Sequence, residues 1–236
     1  METTAEEFSM IKRMGFVKRR DGMTLEACHD YWLNVHAPIV AKAPGVRRYI
    51  VSTTIVGEGL SYTPAYDGLA EIWYDDLAAM DAVGATPEWQ AAREDAPKFI
   101  GSVDTLFAVE VPIIEAARSE REAWVKYCGL LTRRPGTPID RFQAHWRDVH
   151  GPLVVAEFTT MVRYIQSHAL PETYGTDREP AFDGVPQAWF ESVDTIPKAI
   201  LGRTGDERNT PAAQDSEGIF VQPIPVMVTR EHVIIG

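Results

Sequence analysis

The first predicted elements follow from where apolar residues fall along the chain. Between Met10 and Lys18 apolar side chains occupy both sets of alternating positions, which predicts a strand buried on much of both faces. An Asp21-Gly22 turn ends this strand, and Thr24 can cap the following helix because its hydroxyl accepts an amide hydrogen bond. One side of that helix should face a sheet, because apolar and aromatic residues recur there at three-and-four spacing: Leu25, Cys28, Trp32, Val35, His36 and Ile39.

The hydrophobic pattern predicts the same order of elements, βαββαβ, in each half of the chain. After the first strand and helix, two strands, a helical segment that breaks at Thr86-Pro87 and a last strand are predicted at 46–56, 66–74, 75–96 and 105–114. In the second half the six elements fall at about 124–133, 138–156, 161–169, 182–191, 193–215 and 218–230. We therefore predict an α+β protein with two ferredoxin-like units, each a four-stranded antiparallel sheet with helices on one face.

The two halves also repeat one another residue by residue. Nine positions are identical at an offset of 114 residues: Gly15/Gly129, Arg19/Arg133, Arg20/Arg134, Gly22/Gly136, Trp32/Trp146, Val35/Val149, His36/His150, Pro38/Pro152 and Val40/Val154. Arg-Tyr-Ile and aromatic-Asp-Gly triplets follow in both halves, and the offset grows to about 120 at Asp95/Asp215. A period of this length is the size of a small domain. We predict two repeats, residues 8–116 and 122–233, whose bare apolar sheet faces cover each other.

Composition and charge narrow the classes of function. The chain has 236 residues, 45% of them hydrophobic, and a net charge of −11, so it can bury a substantial core and is not expected to bind nucleic acid. Cys28 and Cys128 do not occupy equivalent positions, and we predict reduced, buried thiols rather than a disulfide or a catalytic cysteine. The acidic start lacks the features of a signal peptide and no apolar run is long enough to span a membrane, so we expect a cytoplasmic protein without a membrane partner.

These motifs resemble those of a known family. The Trp-x-x-x-His-x-Pro helix end, followed by Arg-Tyr-Ile and by the aromatic-Asp-Gly triplet with a downstream Trp, resembles the EthD family of the dimeric α/β-barrel superfamily over about residues 10–115 and 123–233. Members usually build the barrel from two chains, so the resemblance implies an intramolecular barrel of the two halves, and pairing of two such chains into a homodimer stays open. It also implies several functions: accessory proteins of ether-degrading monooxygenase systems, enzymes that dehydrate, cyclise or isomerise aromatic compounds, and, more distantly, haem proteins, cofactor-free monooxygenases and muconolactone isomerases.

His36 and His150 are the first candidates for chemistry. They occupy the same position in each half, one turn after a Trp on the side of the helix predicted to be buried. An imidazole titrates near neutral pH, so either could move a proton, whereas a packed residue that holds the helix end against the sheet is the alternative. The resemblance favours a histidine that serves a pocket. By distant analogy it also raises haem, with His36 or His150 as the axial ligand.

Glu71 and its counterpart Gln187 are polar residues between large apolar ones on the third strand of each half. Burial would raise the pKa of the Glu71 carboxyl and make it a general acid, whereas an amide can only orient a ligand, so the first half is the better catalytic candidate. The alternative is that Glu71 lies at a sheet edge or forms a salt bridge with Lys12 or Arg48.

Aromatic residues could build the walls of a substrate pocket. Four tryptophans occur at equivalent positions of the two halves and are expected first of all to be core residues: Trp32, Trp73, Trp146 and Trp189. If a cavity exists, they would give it flat apolar walls suited to an aromatic guest. Tyr49 and Tyr164 could each present a phenol, although a buried tyrosine with one partner is equally ordinary. Asp67 and Asp183 are expected to be turn residues. No His or Cys pair has zinc-binding spacing, so no metal site is predicted.

Together these residues and the resemblance favour a cofactor-independent lyase or isomerase, of the dehydratase or cyclase type, that acts on a small aromatic or unsaturated carbonyl compound. His36 or His150 would remove a proton next to the carbonyl, and Glu71 or Tyr49 would donate one to the departing hydroxyl or the enolate. There are two alternatives. One is a non-catalytic carrier that holds a hydrophobic intermediate for an oxygenase, and the other is a cofactor-free monooxygenase.

Overall fold

The computed structural model describes residues 10–115, 124–201 and 209–236. The predicted boundaries at residues 8, 116 and 122 lie outside these ranges, as does part of the predicted helical segment 193–215. The described strands are β1 (Ile11–Arg19), β2 (Arg48–Thr54), β3 (Gly68–Tyr74), β4 (Ile100–Ile114), β5 (Val125–Gly129), β6 (Arg163–Ala169), β7 (Gly184–Phe190) and β8 (Val226–Ile235). The described α-helices are α1 (Leu25–Tyr31), α2 (Ala37–Val40), α3 (Leu77–Gly84), α4 (Pro87–Asp95), α5 (Ile139–His145), α6 (Gly151–Glu157), α7 (Lys198–Leu201) and α8 (Pro211–Ile219).

The eight described strands pair antiparallel into one closed barrel in the order β1-β3-β2-β8-β5-β7-β6-β4. Strands of the first half meet strands of the second half where β2 pairs with β8 and where β4 pairs with β6. The sheets of the two halves are therefore joined edge to edge by backbone hydrogen bonds, which leaves none of these strands with a free edge. The protein is a mixed α/β structure with an antiparallel barrel at its centre.

The helices cover the outer face of the barrel. In the first half, outward side chains of β1, β2 and β3 pack in one core against the helical segment from α1 to α4. The strand residues are Ile11, Val17, Tyr49, Val51, Ile72 and Tyr74, and the helical residues are Cys28, Trp32, Val40, Val83 and Ala92. In the second half, Tyr164, Ala188 and Val228 of the barrel pack in the same way with residues of α6 and α7. Each half therefore has its own core between strands and helices.

The barrel interior is apolar at one end and charged at the other. The apolar part is built by strand residues and one neighbour: Met14, Phe16, Leu69, Leu106, Ala108, Cys128, Leu130, Ala169, Val185 and Met227. Further along the same strands the buried inward positions carry Lys12, Glu71, Lys126 and Gln187. The expectation of wholly apolar inner faces is therefore wrong, because opposite charges from the two halves neutralise one another inside the barrel.

Two predicted boundaries need correction. The helical break at Thr86-Pro87 is confirmed, but β4 begins at Ile100 rather than at residue 105. The last strand begins at Val226 rather than at residue 218, because α8 continues to Ile219. Thr210 starts this helix by accepting a hydrogen bond from the Ala213 amide (3.2 Å), and Pro211 occupies the first helical position.

A π-helical turn interrupts the first long helix of each half. Trp32–His36 and Trp146–His150 form these turns, in which the N–H of the next residue bonds to the carbonyl of the Trp five residues earlier. A proline follows each turn by two residues, and it cannot take part in regular α-helical bonding because it has no N–H. The widened turn changes the helical phase. Val35 and Val149 therefore point toward solvent with 41% and 44% of their surface exposed, and the prediction that Val35 faces the sheet is wrong.

The aromatic-Asp-Gly triplets do not form the predicted local turns; each Asp bonds to an arginine distant in sequence, and each Gly packs against a tryptophan. Asp67 accepts the backbone N–H of Arg19 (2.8 Å) and pairs with its guanidinium, and Asp183 does the same for Arg133 (2.7 Å from its N–H). The glycine leaves room for the buried Trp of the same half. A Cβ on Gly184 would lie 2.3 Å from Trp146 Cζ3.

Both cysteines are buried and free, as predicted. Burial raises the pKa of Cys28 to about 11 and that of Cys128 to about 12, so the thiols stay protonated at neutral pH. Every helix within the described ranges is too short or too polar to cross a lipid bilayer.

Candidate functional site

Each half contains a cavity between the outer face of the barrel and the helices that cover it. The first-half cavity has a volume of about 620 Å³, and Trp32, His36 and Tyr49 lie in its wall. The second-half cavity has a volume of about 550 Å³ and is lined by the equivalent residues: Trp146, His150 and Tyr164. Six of the predicted site residues therefore meet in two groups of three, one in each half.

His36 forms a buried pair with a carboxylate from another helix. Its Nδ1 lies 3.0 Å from Oδ2 of Asp95, the last residue of α4. Burial would raise the pKa of Asp95, but hydrogen bonds from Lys98, Tyr31 and His36 outweigh it and lower the pKa, so the carboxylate is ionised. Burial lowers the pKa of His36 against the opposing effect of Asp95, and the imidazole is neutral at neutral pH. An ionised acceptor at Nδ1 holds the proton there and leaves Nε2 as the basic nitrogen.

The second half contains the same pair. His150 Nδ1 lies 2.8 Å from Oδ2 of Asp215 on α8, and the other oxygen of Asp215 lies 2.8 Å from Nε2 of His145. His145 occupies the position of Tyr31, whose hydroxyl bonds to Asp95 (2.8 Å). Asp95 and Asp215 were not among the predicted site residues, although their recurrence in both halves was the available signal.

The buried tyrosines beside the histidines are held by neighbouring side chains. The Trp32 indole donates a hydrogen bond to the Tyr49 hydroxyl (3.1 Å), and the Gln166 amide donates one to the Tyr164 hydroxyl (3.3 Å). Burial raises the pKa of Tyr49, and it raises the pKa of Tyr164 to about 12. Both phenols therefore remain protonated at neutral pH and can donate a hydrogen bond to a ligand.

Glu71 lies inside the barrel, on the opposite face of β3 from the cavity. Its carboxylate contacts Lys12 (3.2 Å), Lys126 and the Gln187 amide (2.7 Å). Lys12 also contacts Glu110 (2.7 Å) and Gln187 Oε1 (2.7 Å). The predicted alternative, a salt bridge from Glu71 to Lys12, is confirmed, and Lys126 of the second half is a further partner of the same carboxylate.

The prediction of a raised Glu71 pKa is wrong. Burial alone would raise the pKa, but the ammonium groups of Lys126 and Lys12 outweigh it and lower the pKa far below the usual range of a glutamic acid. A carboxylate held in its ionised form is a poor proton donor. The contrast between Glu71 and Gln187 therefore no longer favours the first half as the catalytic one.

The remaining predicted binding residues also face the barrel interior. Trp73 and Trp189 pack beneath the guanidinium groups of Arg48 and Arg163, whose carbons lie 4.5 and 4.3 Å from the ring centres. Trp73 donates a hydrogen bond to Glu110 (3.3 Å). The structure thus does not bring Glu71, Gln187, Trp73 or Trp189 together with the histidines. Among the described residues, no three His, Cys, Asp or Glu side chains are grouped in a way that could hold a metal ion.

Comparison with known families agrees with two similar halves. A family model described as EthD domain matches residues 20–102 and 134–204, which together make up more than half of the chain. A search of curated proteins found no match to this sequence.

Solved structures provide further comparisons. An anthrone oxidase-like protein is 12% identical with a TM-score of 0.64, and the match covers 98% of this chain and 96% of that chain, so the overall fold is shared. An EthD family protein from Bacillus halodurans C-125 is 28% identical with a TM-score of 0.37, covering 43% of this chain and 99% of that chain. A dimeric ferredoxin-like protein from Thermobifida fusca YX is 15% identical with a TM-score of 0.37, covering 46% of this chain and 98% of that chain.

Proposed function

The chain belongs to the EthD domain family, and on that premise we propose that it is a cofactor-independent acid–base enzyme. The observation that carries the proposal is the histidine–aspartate pair in the wall of each cavity, His36 with Asp95 and His150 with Asp215. A carboxylate that fixes an imidazole in one orientation is typical of histidines that transfer protons. A histidine that only packed the helix end against the sheet would not need a cavity beside it.

In the proposed mechanism the histidine removes a proton from carbon next to a carbonyl group. In the first half, Asp95 holds the proton on Nδ1 of His36, and Nε2 accepts the proton from the substrate. Asp95 then stabilises the imidazolium that forms. Tyr49, which keeps its own proton at neutral pH, donates a hydrogen bond to the enolate oxygen. His150, Asp215 and Tyr164 take the same roles in the second half: base, orienting carboxylate and donor.

The proposed substrate is a small aromatic or unsaturated carbonyl compound, and the proposed reaction is a dehydration, cyclisation or isomerisation that starts from the enolate. The aromatic and aliphatic walls support this substrate class, for example Trp146, Phe158, Met161 and Phe220 in the second-half cavity. Glu71, which the sequence analysis proposed as a donor, has no part in this mechanism because it lies inside the barrel.

A cofactor-free monooxygenase is the second candidate, because it would begin with the same proton removal. A carbanion of an anthrone-like compound can react with dioxygen, and a protein that shares this fold is described as anthrone oxidase-like. Oxygen consumption separates the two reactions. A carrier for an oxygenase is the third candidate, and it would bind ligands without accelerating proton exchange.

We also propose that residues 8–116 and 122–233 are the two copies of a repeat that form an intramolecular counterpart of a dimeric α/β barrel. The strand order supports this, since β4-β1-β3-β2 of the first half matches β8-β5-β7-β6 of the second. Pairing of two chains and haem ligation by His36 or His150 stay predictions. Sedimentation and titration with haemin would test them.

Proton exchange tests the proposed chemistry without knowledge of the natural substrate. Anthrone and 2-tetralone would be incubated with the protein in D₂O without oxygen, and deuterium uptake next to the carbonyl would be followed by NMR. We expect the protein to accelerate exchange and His36→Gln/His150→Gln to remove about 100-fold or more of that acceleration, since general acid–base groups contribute on this scale. His232→Gln is the matched control, because His232 bonds to Thr53 (3.0 Å) and lines neither cavity.

Two outcomes would contradict acid–base catalysis by the histidines, and a third would favour the second candidate over the first. Exchange in the double variant at the wild-type rate would exclude the histidines as bases. Binding of both ketones without any acceleration by the wild-type protein would identify a carrier. Oxygen uptake on admission of air, dependent on the same histidines, would identify the monooxygenase.

A further inference from the structure

The walls of the two cavities differ in charge. The first-half cavity is lined by three arginines and one aspartate: Arg13, Arg93, Arg178 and Asp81. Arg178 pairs with Asp81 (2.5 Å), so two guanidinium groups remain in excess. The described residues of the second-half cavity include no lysine or arginine, and Glu217 is the one acidic residue among them.

Arg13 is the central positive charge of the first-half cavity. It is half-buried on the outward face of β1, and its guanidinium lies over the Trp89 ring, 5.9 Å from the ring centre. No carboxylate of the described residues forms a salt bridge with it. The guanidinium packs on the Trp89 ring rather than on a carboxylate, and burial lowers the Arg13 pKa. A cation that loses hydration without gaining a counterion is held at a cost in free energy.

This arrangement is specific to the first half. The position equivalent to Arg13 is Tyr127, and Tyr127 lines the second-half cavity in the same place. Tyr74, on the same outward face as Arg13, is replaced by Phe190 in the second half. The buried Tyr74 hydroxyl has no hydrogen-bond partner among the described residues. The Arg13 guanidinium, which has an aromatic ring but no carboxylate against it, and the Tyr74 hydroxyl are therefore features of the first half that have no counterpart in the second.

We propose that the first-half cavity binds a planar aromatic carboxylate, whose carboxylate group pairs with Arg13. The guanidinium fork can donate two parallel hydrogen bonds to the two oxygens of a carboxylate. Trp32, Trp89 and Phe107 supply aromatic surface for the ring system in the same cavity. This inference rests on the proposed function in taking the cavity as a ligand site, and it adds the ligand class that distinguishes the first site from the second.

Paired ligands of equal shape test the inference. 2-Naphthoate and its neutral amide, 2-naphthamide, would be titrated into the protein, and binding would be measured by calorimetry. We expect Arg13→Met to weaken binding of 2-naphthoate about tenfold or more, because a charge-assisted hydrogen-bond pair is lost, and to change binding of 2-naphthamide less than about threefold. Arg47→Met is the matched control, since Arg47 is exposed, pairs with Asp75 (2.6 Å) and lies outside both cavities.

The conservative variant Arg13→Lys covers the case in which Arg13→Met does not fold. Lysine keeps the positive charge but lacks the planar guanidinium that can donate two parallel hydrogen bonds. We therefore expect the affinity of Arg13→Lys for 2-naphthoate to lie between the affinities of the wild type and of Arg13→Met. Equal wild-type affinity for the acid and the amide, or unchanged affinity for the acid in either Arg13 variant, would overturn the inference. Deuterium exchange into neutral anthrone does not need Arg13, so a wild-type protein that accelerates this exchange but binds 2-naphthoate no more tightly than 2-naphthamide would contradict this inference and leave the proposed function standing.

Discussion

Replacement of Glu71 by glutamine tests whether the charged network inside the barrel acts as one unit. The change keeps the shape of the side chain and removes the carboxylate that contacts both Lys12 and Lys126. Each ammonium then retains one carboxylate, since Lys12 still contacts Glu110 (2.7 Å) and Lys126 still contacts Glu231 (2.8 Å). Two positive charges would face each other across the barrel with less negative charge between them.

The expected loss of stability follows from the burial of this network. Both lysines are fully buried and Glu71 is 1% exposed, so water cannot replace the lost carboxylate. Removal of one member of a buried ion pair typically costs 3–5 kcal/mol, and because each lysine keeps one partner we place the cost of Glu71→Gln at about 3 kcal/mol. Gln187→Glu should also destabilise, because the new carboxylate would touch Glu71 at the site of a 2.7 Å hydrogen bond.

The double variant Glu71→Gln/Gln187→Glu makes the test sharp. It moves the carboxylate to the equivalent position of the other half, where Gln187 Oε1 already lies 2.7 Å from Lys12 Nζ. We expect it to recover about 2 kcal/mol relative to Glu71→Gln, a coupling of a size that contacting residues show. Urea unfolding at pH 7, followed by tryptophan fluorescence, measures all three variants. A cost below about 1 kcal/mol for Glu71→Gln, or no recovery in the double variant, would refute a coupled network.

Three further predictions concern packing, pH and thiol reactivity. Gly184→Ala should lower the free energy of unfolding in urea by about 1–3 kcal/mol, because the new Cβ would lie 2.3 Å from Trp146 Cζ3. Gly218→Ala is the control, since Gly218 has open space around it. Equal effects of the two substitutions would contradict the packing argument. Burial lowers the pKa of His168 to about 4 in the folded protein, whereas an unfolded histidine has a pKa of about 6.5. As pH falls between these two values the unfolded state binds a proton that the folded state does not, so about 3 kcal/mol of stability should be lost. His168→Gln should flatten that part of the pH profile, and an unchanged slope would exclude His168 as its cause. Cys128 should react with a disulfide reagent only in urea, and labelling of the native protein at the rate of free cysteine would show an exposed thiol.

The order of elements was predictable from apolar periodicity, from segments rich in β-branched and aromatic residues, and from the turn residues between them. Alternation marked β1 and β3, and a capping Thr with apolar three-and-four spacing marked α1. The repeated residues then fixed the correspondence between the halves. The π-helical turn at Trp32–His36 was not predictable from that period, because a wider turn changes the phase after the residues that define the pattern.

The charges inside the barrel were harder to predict from the sequence than the elements. The alternation of side chains placed Leu69, Glu71 and Trp73 correctly on one face of β3. The pKa of Glu71 is lowered chiefly by its contact with Lys126, which is 55 residues away in sequence and belongs to the other half. Strand register across a barrel decides such contacts, and neither composition nor spacing within one half contains that information. The aspartate partners of the two histidines could not be predicted either, because Asp95 and Asp215 lie on later helices that contact the histidines only in the folded chain.

Strand alternation gives the two faces of each barrel strand separate roles. On β1 the inward residue Lys12 is matched by Lys126 in the second half, while the next residue outward, Arg13, is matched by Tyr127. A substitution at an outward position alters the charge of one cavity and leaves the interior ion pairs in place. The two cavities can therefore differ in ligand preference while the interior network holds the halves in a single register. On this argument the proposed difference in ligand preference between the halves lies at Arg13 and Tyr127, where sequence and cavity charge both change, rather than at Glu71 and Gln187, which face the interior.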